Sequence, residues 1–228
     1  MAAVIFSGIV LGIFFYFYER GRAGAMHESS DVLKLPAPKT GGPLSLEQAF
    51  LKRRSVRDFA DSPISLSELS QLLWAAQGVT RDGLYRNAPS AGALYPLELY
   101  VAAGNVADCS PGIYRYLPGQ HALTRVYDRD VRAELSRAAL GQSCVARGSC
   151  VIVIGAVFSR ITSKYRDRGV RYAHMEAGHV SQNIYLQAAT LGLGTVAVGA
   201  FNDERVRSVM RMEDNEAPLY IMPVGKPK

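Results

Sequence analysis

Arg53-Arg54-Ser55-Val56-Arg57 sets three guanidinium groups and a hydroxyl side by side. Guanidinium grips phosphate oxygens through paired, charge-assisted hydrogen bonds, which an ammonium does less well. The run reads either as the grip on a phosphate or as a solvated basic face. A second segment, Ala88-Pro89-Ser90-Ala91-Gly92-Ala93-Leu94-Tyr95-Pro96, is rich in small residues and leads into an apolar stretch. Small side chains let a planar ligand approach the backbone, and free amides can bond its edge; an ordinary turn has the same composition. A third, from Gly192 to Phe201, carries the glycines of a dinucleotide fingerprint in the wrong context. That fingerprint follows a strand and opens a helix. Here the glycines follow a helical stretch and precede a strand, so a Rossmann site is rejected. Gly192 and Gly194 read as a helix stop and tight turn, while Gly199-Ala200 can still offer amides to a ligand.

Other chemically capable residues carry less. His174 and His179 stand five apart with Glu176 between them, and a helical metal pair needs four. No metal site is expected. Cys144 lies near Arg147, which could activate its thiol, but core packing or an inert loop position serves as well. Lys164-Tyr165-Arg166-Asp167-Arg168-Gly169-Val170-Arg171 reads as a basic loop, either a solvated connection or a rim that attracts an anionic cosubstrate.

The elements that must position these residues follow from capping and period. Ser45 with Gln48, and Ser65 with Glu68, are capping boxes. The first opens a helix carrying Leu46, Ala49 and Phe50. The second opens one with Leu66, Leu69, Leu72, Leu73 and Ala76 on one face, stopped by Gly78. Leu97–Ala103 reads as a strand, and Tyr114–Leu117 with Ala122–Tyr127 as a hairpin about Pro118-Gly119. Asp130–Leu140 reads as a helix closed by Gly141, Val151–Phe158 as a buried strand, and Tyr172–Leu191 as the longest helix. Thr195–Val198 and Leu219–Val224 complete the strands, with a short helix from Asp203 to Met210.

Composition limits the alternatives. The chain has 228 residues, 48% of them hydrophobic, enough for one sizeable core. The net charge is +6, with acidic residues dispersed among basic ones, which favours a small anionic ligand over nucleic acid. Three cysteines without a CxxC fit a reducing compartment, and Cys150 is expected to be buried. Residues 1–25 read as a hydrophobic anchor or signal segment. Ala2–Tyr18 carries no charge, and Arg20 and Arg22 follow it. Membrane attachment through residues 2–18 would leave the rest on the cytoplasmic face. Export after cleavage near Ala23-Gly24-Ala25 is the alternative. Residues 26–44, with Pro36, Pro38, Gly41, Gly42 and Pro43, read as an extended linker, and 45–228 as the folded domain.

In this order the segments resemble the nitroreductase family, and within it the SagB/ThcOx-type dehydrogenases. The matching stretches are Arg53–Phe59, Leu72–Gly78, Ala88–Tyr100, Ala139–Gln142, Lys164–Tyr172, Glu176–Asn183, Gly192–Asp203 and Leu219–Gly225. The resemblance implies an α+β fold, a mixed sheet wrapped by helices, in an intertwined homodimer with flavin mononucleotide (FMN) at the interface. It assigns Arg53, Arg54, Ser55 and Arg57 to the FMN phosphate and ribityl chain. Pro89, Ser90, Ala91 and Gly92 would line the isoalloxazine from the other subunit. Gly199 and Ala200 would pair with the ring edge, and Gln142 would add a contact. Many members carry an asparagine where this chain has Ala93. Many also end in a basic tail, a role left here to Lys226 or Lys228.

The implied activity is ping-pong hydride transfer from NADH or NADPH, through FMN, to a small acceptor such as a nitro compound or quinone. The reverse sense, SagB-like dehydrogenation of azoline rings in peptides, uses the same site. The hard chemistry belongs to the flavin, so no side chain is named as catalytic. Two other readings stay open: a flavin-binding module without turnover, and a membrane-associated interaction protein.

Overall fold

The computed structural model describes residues 32–80, 83 and 85–228. The expected anchor or signal segment at 1–25 lies outside the described residues, as do 26–31 of the expected linker. No described helix is long and apolar enough to cross a membrane. The chain order begins β1 (Val32–Lys34), α1 (Leu46–Lys52), β2 (Ile64–Ser65), α2 (Leu66–Gln77), β3 (Val79–Thr80), β4 (Tyr85–Arg86), β5 (Leu97–Ala103) and β6 (Val106–Ala107). It continues β7 (Gly112–Leu117), β8 (Ala122–Tyr127), α3 (Arg132–Ala138), α4 (Ser143–Arg147), β9 (Cys150–Ala156), α5 (Phe158–Tyr165) and α6 (Asp167–Thr190). Last come β10 (Gly194–Thr195), α7 (Asp203–Val209) and β11 (Ala217–Gly225).

Period-two alternation along the central strands builds two cores from one sheet. On β5, Leu97, Leu99 and Val101 face a core shared with α2 and α6, while Tyr100 and Ala102 face one shared with α3, α4 and α7. Each residue of β9 is buried, as its apolar run requires. The long helix α6 lays Ala173, Ala177, Val180, Ile184 and Ala188 against the interior at helical spacing. Both capping boxes form: Ser45 and Gln48 exchange bonds of 3.1 and 3.2 Å, Ser65 and Glu68 bonds of 2.6 and 3.2 Å.

Four features differ from the sequence expectation. The seven-stranded sheet, in the order β1-β8-β7-β5-β9-β11-β10, is antiparallel at each pairing rather than mixed. The chain turns straight back from β5 to β7 to β8, and its helices cover the faces instead of carrying crossovers between parallel neighbours. Among the described residues, parallel pairing is confined to β2 with β6 and the Ser55–Thr195 bridge. Residues 32–44 are not wholly linker: Val32–Lys34 extends the sheet beside β8, and Leu35 is buried. The expected basic loop at 164–171 is the junction of α5 and α6. Arg166, at φ 51°, is the break between them. Finally, the strand expected over Thr195–Val198 is interrupted at residues 196–197, where Ala197 gives its N–H to the Tyr185 hydroxyl at 2.8 Å, and rejoins β11 at Val198 opposite Ile221.

Candidate functional site

The helix α1 stops at Lys52, and Arg53 turns out of it at ψ 124°. From there the chain runs extended along the sheet's end. Val56 N donates to the Thr195 carbonyl at 2.9 Å and Ala60 N to the Lys226 carbonyl at 2.8 Å. Lys228 N reaches the Asp58 carbonyl at 3.3 Å. Phe59 is buried in the core shared with α3, α4 and α7, and anchors the segment. Arg54, Ser55 and Arg57 are consequently exposed, and the C-terminal tail with Lys226 and Lys228 lies alongside them.

Among the described residues, none of Arg53, Arg54 and Arg57 makes an ion pair. The acid of the motif, Asp58, is drawn aside to Arg147 at 3.4 Å. Three cations without an ion-pair partner among the described residues, held on a braced strand, have the chemistry to bind an anion. Behind them is a groove of ≈ 400 Å³ lined by Arg53, Arg54, Tyr185, Thr195 and Pro227. Thr195 Oγ1 is buried there without a hydrogen-bond partner among the described residues.

Tyr185 joins this anion site to the next segment. Its hydroxyl accepts from Ala197 N at 2.8 Å and pairs with Ser55 Oγ at 3.0 Å, while Arg53 lies over its ring at 5.3 Å. Val198 is pinned to Ile221 by two backbone bonds, which presents Gly199 and Ala200 to solvent. Gln142 Nε2 donates to the Ala200 and Ala139 carbonyls, both at 3.0 Å. Its amide donors are thus spent on holding the Gly199-Ala200 edge, and its oxygen alone stays available to a ligand.

The Pro89–Gly92 loop is built separately. Gly92 (φ 65°), Ala93 (φ 53°) and Tyr95 (φ 46°) occupy the left-handed region, which makes the loop compact. Ser90 Oγ accepts from Tyr95 N at 3.0 Å, and Arg86 stacks on the Tyr95 ring at 4.5 Å. Arg160 reaches the Tyr95 carbonyl at 3.3 Å and pairs with Glu98 at 2.6 Å. Burial would raise the Glu98 carboxyl, but Arg115 and Arg160 outweigh it and hold it below the ordinary range. A methyl at Gly92 would meet the Tyr165 hydroxyl at 2.8 Å and Lys164 Nζ at 3.2 Å. Those two side chains of α5 therefore border the loop. No described hydrogen bond ties this loop to the arginine segment. It packs near Glu176 on α6, whereas the arginines pack near Tyr185.

Tyr185 was not separable as a site residue in the sequence, whereas Lys164 and Tyr165 fall in the segment read as a candidate rim and Thr195 in the Gly192–Asp203 stretch. The Ser55–Tyr185 pair spans 130 positions, and no local spacing signals such a contact. Elsewhere, Cys109, Cys144 and Cys150 are all buried, and burial pushes the Cys150 thiol up to about 12. That makes Cys150 an unreactive packing residue. His174 Nδ1 is engaged by the Val170 carbonyl at 2.7 Å.

The sheet is antiparallel, carries helices on both faces and has an arginine-bearing strand at its end. The Nitroreductase family profile matches residues 50–226. The chain is 48% identical over 183 residues to "Putative nitroreductase MJ1384" of Methanocaldococcus jannaschii, spanning 80% of this chain and 91% of that protein. It is 29% identical over 208 residues to the Microcin B17-processing protein McbC of Escherichia coli, spanning 87% and 76%. A "putative nitroreductase" crystal structure from Ralstonia eutropha JMP134 superposes with a TM-score of 0.77 at 31% identity, over 90% of this chain and 93% of that one. The chain belongs to the nitroreductase family.

Proposed function

We propose that this nitroreductase-family oxidoreductase binds FMN and moves hydride between NADH or NADPH and a small oxidised acceptor. The observation that carries the reading is the continuity from three guanidiniums without an ion pair among the described residues, through Ser55 and Tyr185, to the exposed Gly199-Ala200 edge. A phosphate at one end and a hydrogen-bonding planar ring at the other match that surface. The buried, unpartnered Thr195 Oγ1 in the groove fits a polar ligand as well.

In this reading Arg53, Arg54, Arg57 and the tail lysines Lys226 and Lys228 hold the phosphate. Ser55 holds the ribityl chain, and the Gly199 and Ala200 amides meet the ring edge. Pro89, Ser90, Ala91 and Gly92 line the ring face and exclude water. Bound FMN would supply the hydride acceptor and donor that the side chains lack.

The loop belongs to a second copy in this reading. Its neighbour Glu176 and the arginines' neighbour Tyr185 are nine residues apart on α6, about 13.5 Å along the axis. Exposed Leu46, Phe50 and Leu51 on α1, and Val170 and Met175 on α6, supply apolar surface for such a partner to cover. The SagB/ThcOx resemblance adds one further sense, dehydrogenation of azoline rings in a peptide, and similarity to the Microcin B17-processing protein McbC is in keeping with it. Attachment through residues 2–18 is a separate proposal, tested by whether the full chain sediments with membranes and loses this on their deletion.

An absorption spectrum of the purified protein after incubation with FMN tests the core of the reading. A yellow dimer is expected, bleached anaerobically by NADH or NADPH, with Arg54→Ala weakening FMN retention. Protein that never takes up FMN refutes the site. Bound FMN that neither nicotinamide bleaches refutes turnover and leaves a flavin-binding module. Salt-sensitive binding of residues 26–228 to anionic liposomes, without FMN uptake, marks an interaction protein instead.

A further inference from the structure

Glu176 sits on the inner side of α6 at 2% exposure, and neither carboxyl oxygen has a hydrogen-bond partner among the described residues. Burial raises this carboxyl above the ordinary range, against the pull of Ser90, Gln77 and the Arg86 guanidinium, the charged group acting on it. Gln77, 1% exposed, is half satisfied: its Oε1 accepts from Arg86 Nη1 at 2.9 Å, while its Nε2 has no partner. Ser90 Oγ already accepts from Tyr95 N, so its own proton is free to be given. Two unused donors, one on buried Gln77 and one on half-buried Ser90, thus lie near an acid with two unused acceptors. Buried polar groups left this way are rare, because each forgoes the bonds that water would supply.

The donors lead to both ends of one loop. Ser90 is in it. Gln77 reaches its far end through Arg86, whose guanidinium stacks on Tyr95 at 4.5 Å. We propose that Glu176 is the positioning residue of the Pro89–Gly92 loop, closing a hydrogen-bonded knot with Ser90 and Gln77 that sets the loop against the flavin face. The proposal rests on the flavin reading for the purpose of the loop, and on the knot itself for its mechanism. A small inward shift of the loop delivers the Ser90 hydroxyl to one carboxyl oxygen and the Gln77 amide to the other. Glu176 touches neither flavin nor substrate in this arrangement.

Hydrogen exchange of the loop in full-length protein without flavin, read from pH 6 to 9, tests the knot directly. Glu176→Gln keeps the shape but offers one acceptor oxygen where the acid offers two. Amides of residues 90–95 should exchange about tenfold faster in this variant, the order expected for losing a hydrogen bond to a charged group. The part of the wild-type pH dependence that exceeds intrinsic base-catalysed exchange should vanish, and Glu176→Asp should restore part of it. FMN affinity should fall about tenfold, and adding Ser90→Ala to Glu176→Gln should cost little more than either alone. Unchanged loop exchange with an unchanged pH profile, or full additivity of the two substitutions, overturns the proposal. Should Glu176→Gln not fold, Ser90→Ala decides by the pH dependence of exchange at residues 91–94 beyond the intrinsic one, because this variant frees the Tyr95 N–H directly: loss of that dependence supports the knot, and its persistence rejects it. Failure of the wild type to bind FMN defeats the flavin reading and leaves the exchange comparison to judge the knot.

Discussion

Removing one oxygen atom, by Tyr185→Phe, tests whether the anion site and the ring edge act as one unit. The tyrosine hydroxyl accepts the Ala197 N–H at 2.8 Å and pairs with Ser55 Oγ at 3.0 Å. Phenylalanine keeps the ring on which Arg53 rests at 5.3 Å, so the cation–π contact survives. Ser55 is exposed and can turn to water at little cost. Ala197 is half-buried, and stranding its N–H costs about 1–3 kcal/mol, so about 1.5 kcal/mol is expected here. For a folded region of this size that lowers Tm by about 3–6 °C. The Ser55–Tyr185–Ala197 link would be cut while Val198 stays pinned to Ile221, so the loosening falls on the stretch between Thr195 and Val198. FMN affinity should therefore fall about tenfold, equivalent to about 1.4 kcal/mol. Thermal unfolding without ligand, and fluorescence titration with FMN, separate the two effects. A lower Tm with unchanged FMN affinity makes Tyr185 a purely structural tie. No change in either measurement refutes the coupling argument.

Three further perturbations probe the framework. Gly194→Ala removes no polar atom, but its methyl would stand 2.7 Å from Val56 Cβ. It should displace the arginine strand, costing about 1–3 kcal/mol and weakening FMN binding, both read by the same titrations. His121 bonds Tyr116, Ser70 and the Pro36 carbonyl, tying residues 35–39 to the core. Burial lowers its folded pKa from 6.5, despite the Pro36 carbonyl. The stability it contributes is complete above pH 6.5 and is lost as pH falls through the folded value. Denaturant midpoints between pH 5 and 8 should slope accordingly, and less in His121→Gln. Glu98→Gln leaves Arg115 and Arg160, both partly exposed, without their shared carboxylate. Discounted for that exposure, the loss should be about 2 kcal/mol, and an unchanged midpoint would show that solvent replaces the pair.

What the sequence revealed, and what it hid, divides by the distance over which each signal acts. The two capping boxes, β5 and the β7–β8 hairpin are encoded within a few residues and were legible, with β7 beginning two residues before the expected Tyr114. Sheet direction depends on which distant strands meet, and the alternation of helices with strands pointed wrongly to a mixed sheet. The α5–α6 junction was hidden because its charged surface resembles a loop. Its helical register is held from inside, by Ile161, Gly169 and Ala173, with Gly169 close against the Ile161 backbone. The candidate site divides in the same way. Arg53, Arg54 and Arg57 are legible because a phosphate grip can be written in consecutive residues. Tyr185 and Glu176 are not, since each acts on a segment far along the chain and sits within an unremarkable helical pattern. Both are on α6, one beside the arginine strand and the other beside the Pro89–Gly92 loop. With the loop serving the second copy, each α6 thereby sets the arginine strand of one proposed flavin site and the loop of the other. Substitutions on its inner side should alter FMN binding without touching any residue that contacts the cofactor.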